Sequence, residues 1–296
     1  MQLIFWIVML LKVPHVITRA SKKANFHWRS VQPRRLPKLN HQYRQIISQL
    51  TDQGVCSTTL DKLGIAGTAE MFMLAEQLLK TLPKNNSLEC TEERATASHS
   101  VGLSAGQLLH HPDLFMWGLQ PQWLNLVENY LHQPPAYLGC ILRREVPNQK
   151  QVGVRLWHKD GEDYKVVKVI VYLNDVGEKE GPFEYIPQRH SPSYSQFRHV
   201  NNTVRDRDMA PVVSPEIWKR CLGPRGTVVI ADTARIFHHA SLPQQDRYSV
   251  TFAYVSIAPK NLSKCRQWCP YKDTNSWLQI QSQLSPRQWK ALMSWR

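Results

Sequence analysis

Between residues 135 and 256 the chain reads as short apolar runs broken by Gly, Pro, Asn and Asp, at 137–142, 153–157, 166–173, 183–186, 226–231 and 248–256. None of the intervening segments carries a crossover helix. This disfavours a parallel βαβ sheet, and an antiparallel sandwich or jelly roll is expected.

Helical patterning comes before this region and again after it. Tyr43, Ile46, Ile47 and Leu50 fall at i, i+3, i+4 and i+7, which predicts a helix closed by Gly54 and followed by an extended piece at 55–60. A second helix is expected over about 68–82, with Thr68 as its N-cap and Pro83 as its stop. A third is expected over 121–131, with Pro121 in its first turn and Trp123, Leu126, Val127 and Tyr130 on one face. Residues 84–106 are small and polar. Near the C-terminus, Ser285-Pro286 caps a short amphipathic helix carrying Trp289, Leu292 and Met293. The expected fold is mainly β with flanking helices (α+β). It comprises one domain over 39–296, divided into a helical part (39–135), a jelly-roll core (136–260) and a tail with a helix (261–296). With 296 residues, 42% of them apolar, and ten Trp, the chain can bury a large core, which excludes disordered, collagen-like and coiled-coil classes.

Residues 1–38 read as a lead-in without stable order. Leu3 to Leu11 is an apolar run of nine residues, too short to span a bilayer, and the first Lys follows the run where a signal peptide would need it in front. Attachment at a membrane interface and a start codon set too far upstream both stay open. The basic stretch Lys22, Lys23, Arg29, Arg34, Arg35 and Lys38 is a solvated tail by default, and no nucleic-acid module accompanies it, so no nucleic-acid partner is expected. The 37 basic against 23 acidic residues leave +14, which favours an anionic small-molecule partner. Six scattered Cys do not make a disulfide framework, and Cys265 and Cys269 lack the second pair of a zinc site. A reducing, cytoplasmic setting follows as the default.

Three strings carry chemistry. In Leu156-Trp157-His158-Lys159-Asp160 an extended backbone would turn His158 and Asp160 to one face, where both can reach a single metal. Seventy-eight residues after Asp160, the string ending in His238-His239-Ala240 offers a third ligand, completing a two-His, one-carboxylate set suited to non-haem Fe(II). The doublet is ambiguous, since adjacent residues on a strand face opposite ways; the spacing to the next string favours His238. That string is Asp246-Arg247-Tyr248-Ser249, in which a guanidinium and a hydroxyl on one face can grip a carboxylate. Arg155 and Lys168 stand near these strings without an assignable role. Asp232 reads as a turn residue, and His110, His111 and His190 as surface or structural.

In this order the strings resemble an iron(II)- and 2-oxoglutarate-dependent oxygenase, and within that class the phytanoyl-CoA dioxygenase family. The likeness extends over Trp157-His158-Lys159-Asp160, Lys168-Val-Ile-Val-Tyr172-Leu173-Asn174-Asp175-Val176 and Gly181-Pro182-Phe183-Glu184-Tyr185-Ile186-Pro187, and covers about residues 40–260. It implies a double-stranded β-helix (jelly roll) with amino-terminal helices packed outside. It also implies Fe(II) on His158, Asp160 and His238, 2-oxoglutarate as co-substrate with its distal carboxylate on Arg247 and Ser249, and O₂ as oxidant. The implied reaction hydroxylates a small organic substrate with release of succinate and CO₂. One departure is visible: where the family often has Pro-Gly-Ser-His, this chain has Pro187-Gln188-Arg189-His190, a bulkier turn at the pocket mouth. The rival reading is a non-catalytic jelly-roll binding protein, against which the intact ligand set and Arg-x-Ser clamp both weigh.

Overall fold

The computed structural model describes residues 21, 23–29, 35–82, 99–197, 202–268 and 274–296. The apolar run at 3–11, Cys90 and Cys269 lie outside the described residues, as does most of the lead-in. Within the lead-in, which read as lacking stable order, residues 23–29 are helical, and Phe26 packs on Tyr164 with ring centroids 5.3 Å apart.

Eleven strands are described: β1 Val55–Thr59, β2 Ser100–Leu103, β3 Pro135–Glu145, β4 Trp157–His158, β5 Val167–Tyr172, β6 Phe183–Tyr185, β7 Thr203–Val204, β8 Lys219–Cys221, β9 Thr227–Asp232, β10 His238–Ala240 and β11 Arg247–Ser256. They form two antiparallel sheets, a six-stranded one in the order β1-β9-β5-β11-β3-β2 and a five-stranded one in the order β7-β4-β10-β6-β8. This mixture of helices and two facing antiparallel sheets is a jelly roll.

The outer face of the large sheet is buried under the helices. There Val169, Val171, Val250 and Phe252 pack against Tyr43, Leu50, Trp123, Leu126 and Tyr130 of the helices His41–Gln53 and Pro121–Leu131. The inner face turns toward the small sheet. A bulge between Ala253 and Tyr254 of β11 adjusts the alternation opposite Gly139, whose φ of 124° lies in the region that glycine tolerates best.

The helices at His41–Gln53, Pro121–Leu131 and Pro286–Met293 lie where the periodicity placed them, and Ser285 closes a capping box with Gln288. The second helix, Thr68–Lys80, is entered from Gly67 in the left-handed region instead of being capped by Thr68, whose hydroxyl donates back to the Ile65 carbonyl. Strand β2 falls in the segment that read as polar and small. Residues 153–157 are not one strand: Gly153–Arg155 is a 3-10 turn, with φ 58° at Gly153, and only Trp157–His158 pair as strand.

Candidate metal centre

β4 and β10 are antiparallel neighbours with His158 directly opposite His238, so the two imidazoles project from the same face of the small sheet. Their ring centroids lie 4.3 Å apart. Asp160 lies just past β4, where its N–H donates to the Thr233 carbonyl at 2.9 Å. This turn swings the carboxylate over the histidine pair: Oδ1 is 3.8 Å from His158 Nε2 and Oδ2 is 3.8 Å from His238 Nε2. Among the described residues these three form the one group of His, Cys and acidic side chains whose ligand atoms all converge, within 4.8 Å of one another.

The second nitrogen of each ring is already engaged. His158 Nδ1 donates to the Leu156 carbonyl at 2.7 Å and His238 Nδ1 to the Ile236 carbonyl at 3.4 Å, which leaves both Nε2 lone pairs facing Asp160. Burial lowers the pKa of His158, and burial together with the neighbouring His158 lowers that of His238 well below the usual range, so both favour the neutral form that binds metals. Burial raises the pKa of Asp160, but the charge of Lys168 more than offsets it and the pKa lies below the usual range, so the group is ionised. Lys168 Nζ, 2.6 Å from Oδ2, also orients that carboxylate. The donor set fits a divalent metal, with two neutral imidazoles and one anionic oxygen on one side and cavity on the other.

His239 points the other way. Its Nδ1 donates to the Arg155 carbonyl at 3.1 Å, its Nε2 lies 2.8 Å from Glu184 Oε2, and its ring stacks on Trp157 at 3.9 Å. With both nitrogens engaged by these partners it does not join His158, Asp160 and His238 in the converging group. Burial would raise the pKa of Glu184, but His239, Ser241 and Arg220 bring it below the ordinary range.

Beside the histidines lies a cavity of about 120 Å³ whose far wall is the inner face of the large sheet. Arg247 and Ser249 of β11 line it together with Arg143 and Glu145 of β3. Arg247 is buried; its Nη1 donates to the Gly181 carbonyl, while its Nε has no hydrogen bond. Gly181 adopts φ 66°, and a Cβ there would come within 2.4 Å of the Ser241 carbonyl oxygen, so a glycine is needed to present this acceptor. A second, more open cavity of about 590 Å³ shares His158 and Arg143 with the first and is also lined by Lys159, Asp160, Glu162 and Lys264. Arg155, which had no assignable role, is fully buried in its turn and donates to the carbonyls of His99 and Val146. Glu145 and Glu184 were not singled out from the sequence; the partners that set them apart, Arg155 and Arg247 for Glu145 and His239 and Arg220 for Glu184, are distant in the chain.

No protein-family model matches the chain, and no curated protein matches it in sequence. Solved structures do match in shape. EvdO2 from Micromonospora carbonacea var. aurantiaca superposes with a TM-score of 0.52 at 14% identity, covering 81% of this chain and 100% of that one. SnoN, a non-heme alpha ketoglutarate dependent epimerase from nogalamycin biosynthesis, gives 0.51 at 13%, with 78% and 89% covered. SnoK, a carbocyclase of the same dependence and biosynthesis, gives 0.50 at 18%, with 86% and 94% covered. At these identities the likeness establishes the fold.

Proposed function

We propose that the chain is a non-haem iron(II)- and 2-oxoglutarate-dependent oxygenase that hydroxylates a small organic substrate, releasing succinate and CO₂, and that its kinship lies with the phytanoyl-CoA dioxygenase family. The observation that carries this reading is the convergence of His158 Nε2, His238 Nε2 and the Asp160 carboxylate on one side of a cavity whose opposite wall presents Arg247 and Ser249. The fold neighbours lend support: SnoN and SnoK are alpha ketoglutarate dependent, and SnoN has been solved with Fe3+ and alpha ketoglutarate bound.

In this reading His158, Asp160 and His238 hold Fe(II). When bound, the iron supplies the redox and Lewis-acid chemistry for oxidative decarboxylation of the 2-oxo acid. The chain does the rest. Leu156 and Ile236 fix the two rings through their carbonyls, and Lys168 orients the Asp160 carboxylate. Arg247, buried and steered by the Gly181 carbonyl, takes the distal carboxylate of 2-oxoglutarate together with the Ser249 hydroxyl. Lys159, Arg143 and Lys264 around the outer cavity favour an anionic substrate. Cys56, Cys140, Cys221 and Cys265 are buried free thiols, which supports a reducing, cytoplasmic setting. Among the described residues no helix is long and apolar enough to cross a membrane. The domain is read as one unit over 39–296, since a single cluster of buried residues runs from Tyr43 to Leu292.

The test is succinate formation from 2-oxoglutarate by the full chain supplied with Fe(II) and O₂, with and without a library of small anionic substrates. Succinate that depends on both metal and protein is the expected result. Its absence under every condition would favour the non-catalytic binding protein instead.

A further inference from the structure

The inner cavity contains a charge that the proposed chemistry does not use. Glu145, the last residue of β3, is 1% exposed, and neither carboxylate oxygen has a hydrogen bond. Three guanidinium groups surround it at ion-pair rather than hydrogen-bond distance: Arg143 Nη1 at 3.5 Å, Arg155 Nη2 at 3.7 Å and Arg247 Nη2 at 3.9 Å. Glu145 stands directly opposite Arg247 in the β3–β11 ladder, so both side chains face the cavity from neighbouring strands.

Arg247 and Arg155 have anchors other than Glu145. Arg247 is steered by the Gly181 carbonyl, and Arg155 by the carbonyls of His99, Val146 and Lys150 and by the Asn148 side chain. What Glu145 supplies is charge, acting through space from a buried position where Coulomb interactions are less screened than in bulk water. Three cations and one anion leave the carboxylate end of the pocket with a net charge of +2; without Glu145 it would be +3. Arg155 feels this field: burial lowers its pKa, the attraction of Glu145 raises it, and the repulsion of Arg247 lowers it again.

We infer that Glu145 is a built-in counter-charge that moderates the grip of Arg247 on a carboxylate, setting the affinity for 2-oxoglutarate and for the product succinate low enough that the product leaves. This rests on the reading of Arg247 and Ser249 as the carboxylate clamp. A clamp of unopposed buried arginines would act as an anion trap, whose rate is limited by release. Glu145 is thus a tuning residue for the co-substrate, separate from the metal ligands.

The experiment is calorimetric titration of the full chain, loaded with Mn(II) in the absence of oxygen, with 2-oxoglutarate and with succinate. Glu145→Gln should bind both about tenfold more tightly than the parent, because a unit charge within a few ångström of the bound carboxylate has been removed. Glu145→Asp, which keeps the charge but draws it back from Arg247, should fall between the two, and it carries the test alone if the Gln variant does not fold. Mn(II) affinity should be unchanged in both. Unchanged or weaker binding of both acids in whichever variants fold would overturn the inference. Arg247→Ala, titrated alongside, separates the two levels of failure. If it weakens 2-oxoglutarate while the Glu145 variants leave affinity where it was, only the counter-charge is wrong. If Arg247→Ala binds as the parent does, clamp and counter-charge fall together.

Discussion

His158 and His238 make good ligands for a reason that lies in their other nitrogen. Each Nδ1–H is used by the carbonyl two residues earlier, so tautomer and ring orientation are set before a metal arrives. Asp160 has a different anchor, its own N–H on the Thr233 carbonyl, and its carboxylate completes the set as the one anionic donor. Asp160→Ala should therefore lose divalent-metal binding, measured by equilibrium dialysis, together with all 2-oxoglutarate turnover. Asp160→Glu should keep the charge but misplace it by a methylene, impairing both. If Asp160 supplies the third ligand as proposed, a halide would have no place beside the co-substrate and O₂, and the product in chloride buffer should be hydroxylated or desaturated rather than chlorinated. Metal binding at parental strength in Asp160→Ala would overturn the ligand assignment. Arg247 is tested independently of the metal. Removing a charge-assisted bidentate contact costs about 1.5–3 kcal/mol, so Arg247→Ala should weaken 2-oxoglutarate about 10- to 100-fold while leaving metal affinity alone. An unchanged dissociation constant for 2-oxoglutarate would mean that Arg247 serves the sheet rather than the ligand.

At the scale of elements, the short strand β4 shows what a sequence can and cannot convey. Period-two alternation pairs His158 with Asp160 on one face, and the two do converge, but not for that reason: β4 ends at His158, and the turn bonded to Thr233 delivers Asp160. Arg155 escaped assignment because Gly153 opens a 3-10 turn where a strand was expected, which rotates the guanidinium inward. The long elements were legible: the helices over 41–53 and 121–131 and the strands β5, β9 and β11 each carry a continuous apolar face. The strands β7, β8 and β10, of two or three residues, have too few positions to show any period. Asp232 read as a turn residue, yet it ends β9 fully buried and ties the helix Pro121–Leu131 to the large sheet by accepting from Tyr130 Oη at 2.5 Å and from the Val166 N–H at 3.1 Å. Burial lifts its pKa to about 6, against the lowering influence of Tyr130, the Val166 N–H, Arg235 and Lys165. A carboxyl with a raised folded-state pKa favours the fold when protonated, so its contribution is present at about pH 4 and lost as the pH rises through about 6. The change is on the order of 3 kcal/mol. Chemical denaturation of parent and Asp232→Asn from pH 4 to pH 7.5 should show the parent losing about that much relative to the variant. A difference that does not vary with pH would mean that Asp232 is ionised in the fold throughout.

For the whole molecule, the arrangement of charge and sheets matters more than any single contact. The proposed metal ligands His158 and His238 belong to the small sheet, whereas Arg247 and Ser249 belong to the large one, and the inner cavity lies between them. A metal held by His158, Asp160 and His238 would tie β4, β10 and the Asp160 turn together. A 2-oxo acid held by both that metal and Arg247 would add a bridge between the sheets. Ligands that bind only the folded chain stabilise it by mass action, about 2.7 kcal/mol at a hundredfold excess over Kd. For a domain of this size that corresponds to a rise in melting temperature of about 5–10 °C. The two increments should be separable. With Mn(II) in place of iron and no oxygen present, the parent should gain one increment from the metal and a second from 2-oxoglutarate. Arg247→Ala should retain the first increment and lose most of the second, and Asp160→Ala should lose both, because the co-substrate then has no metal to chelate. The decisive comparison is 2-oxoglutarate without metal: a rise as large as that seen with metal would place the acid away from His158 and His238, and the two sheets would not share a ligand.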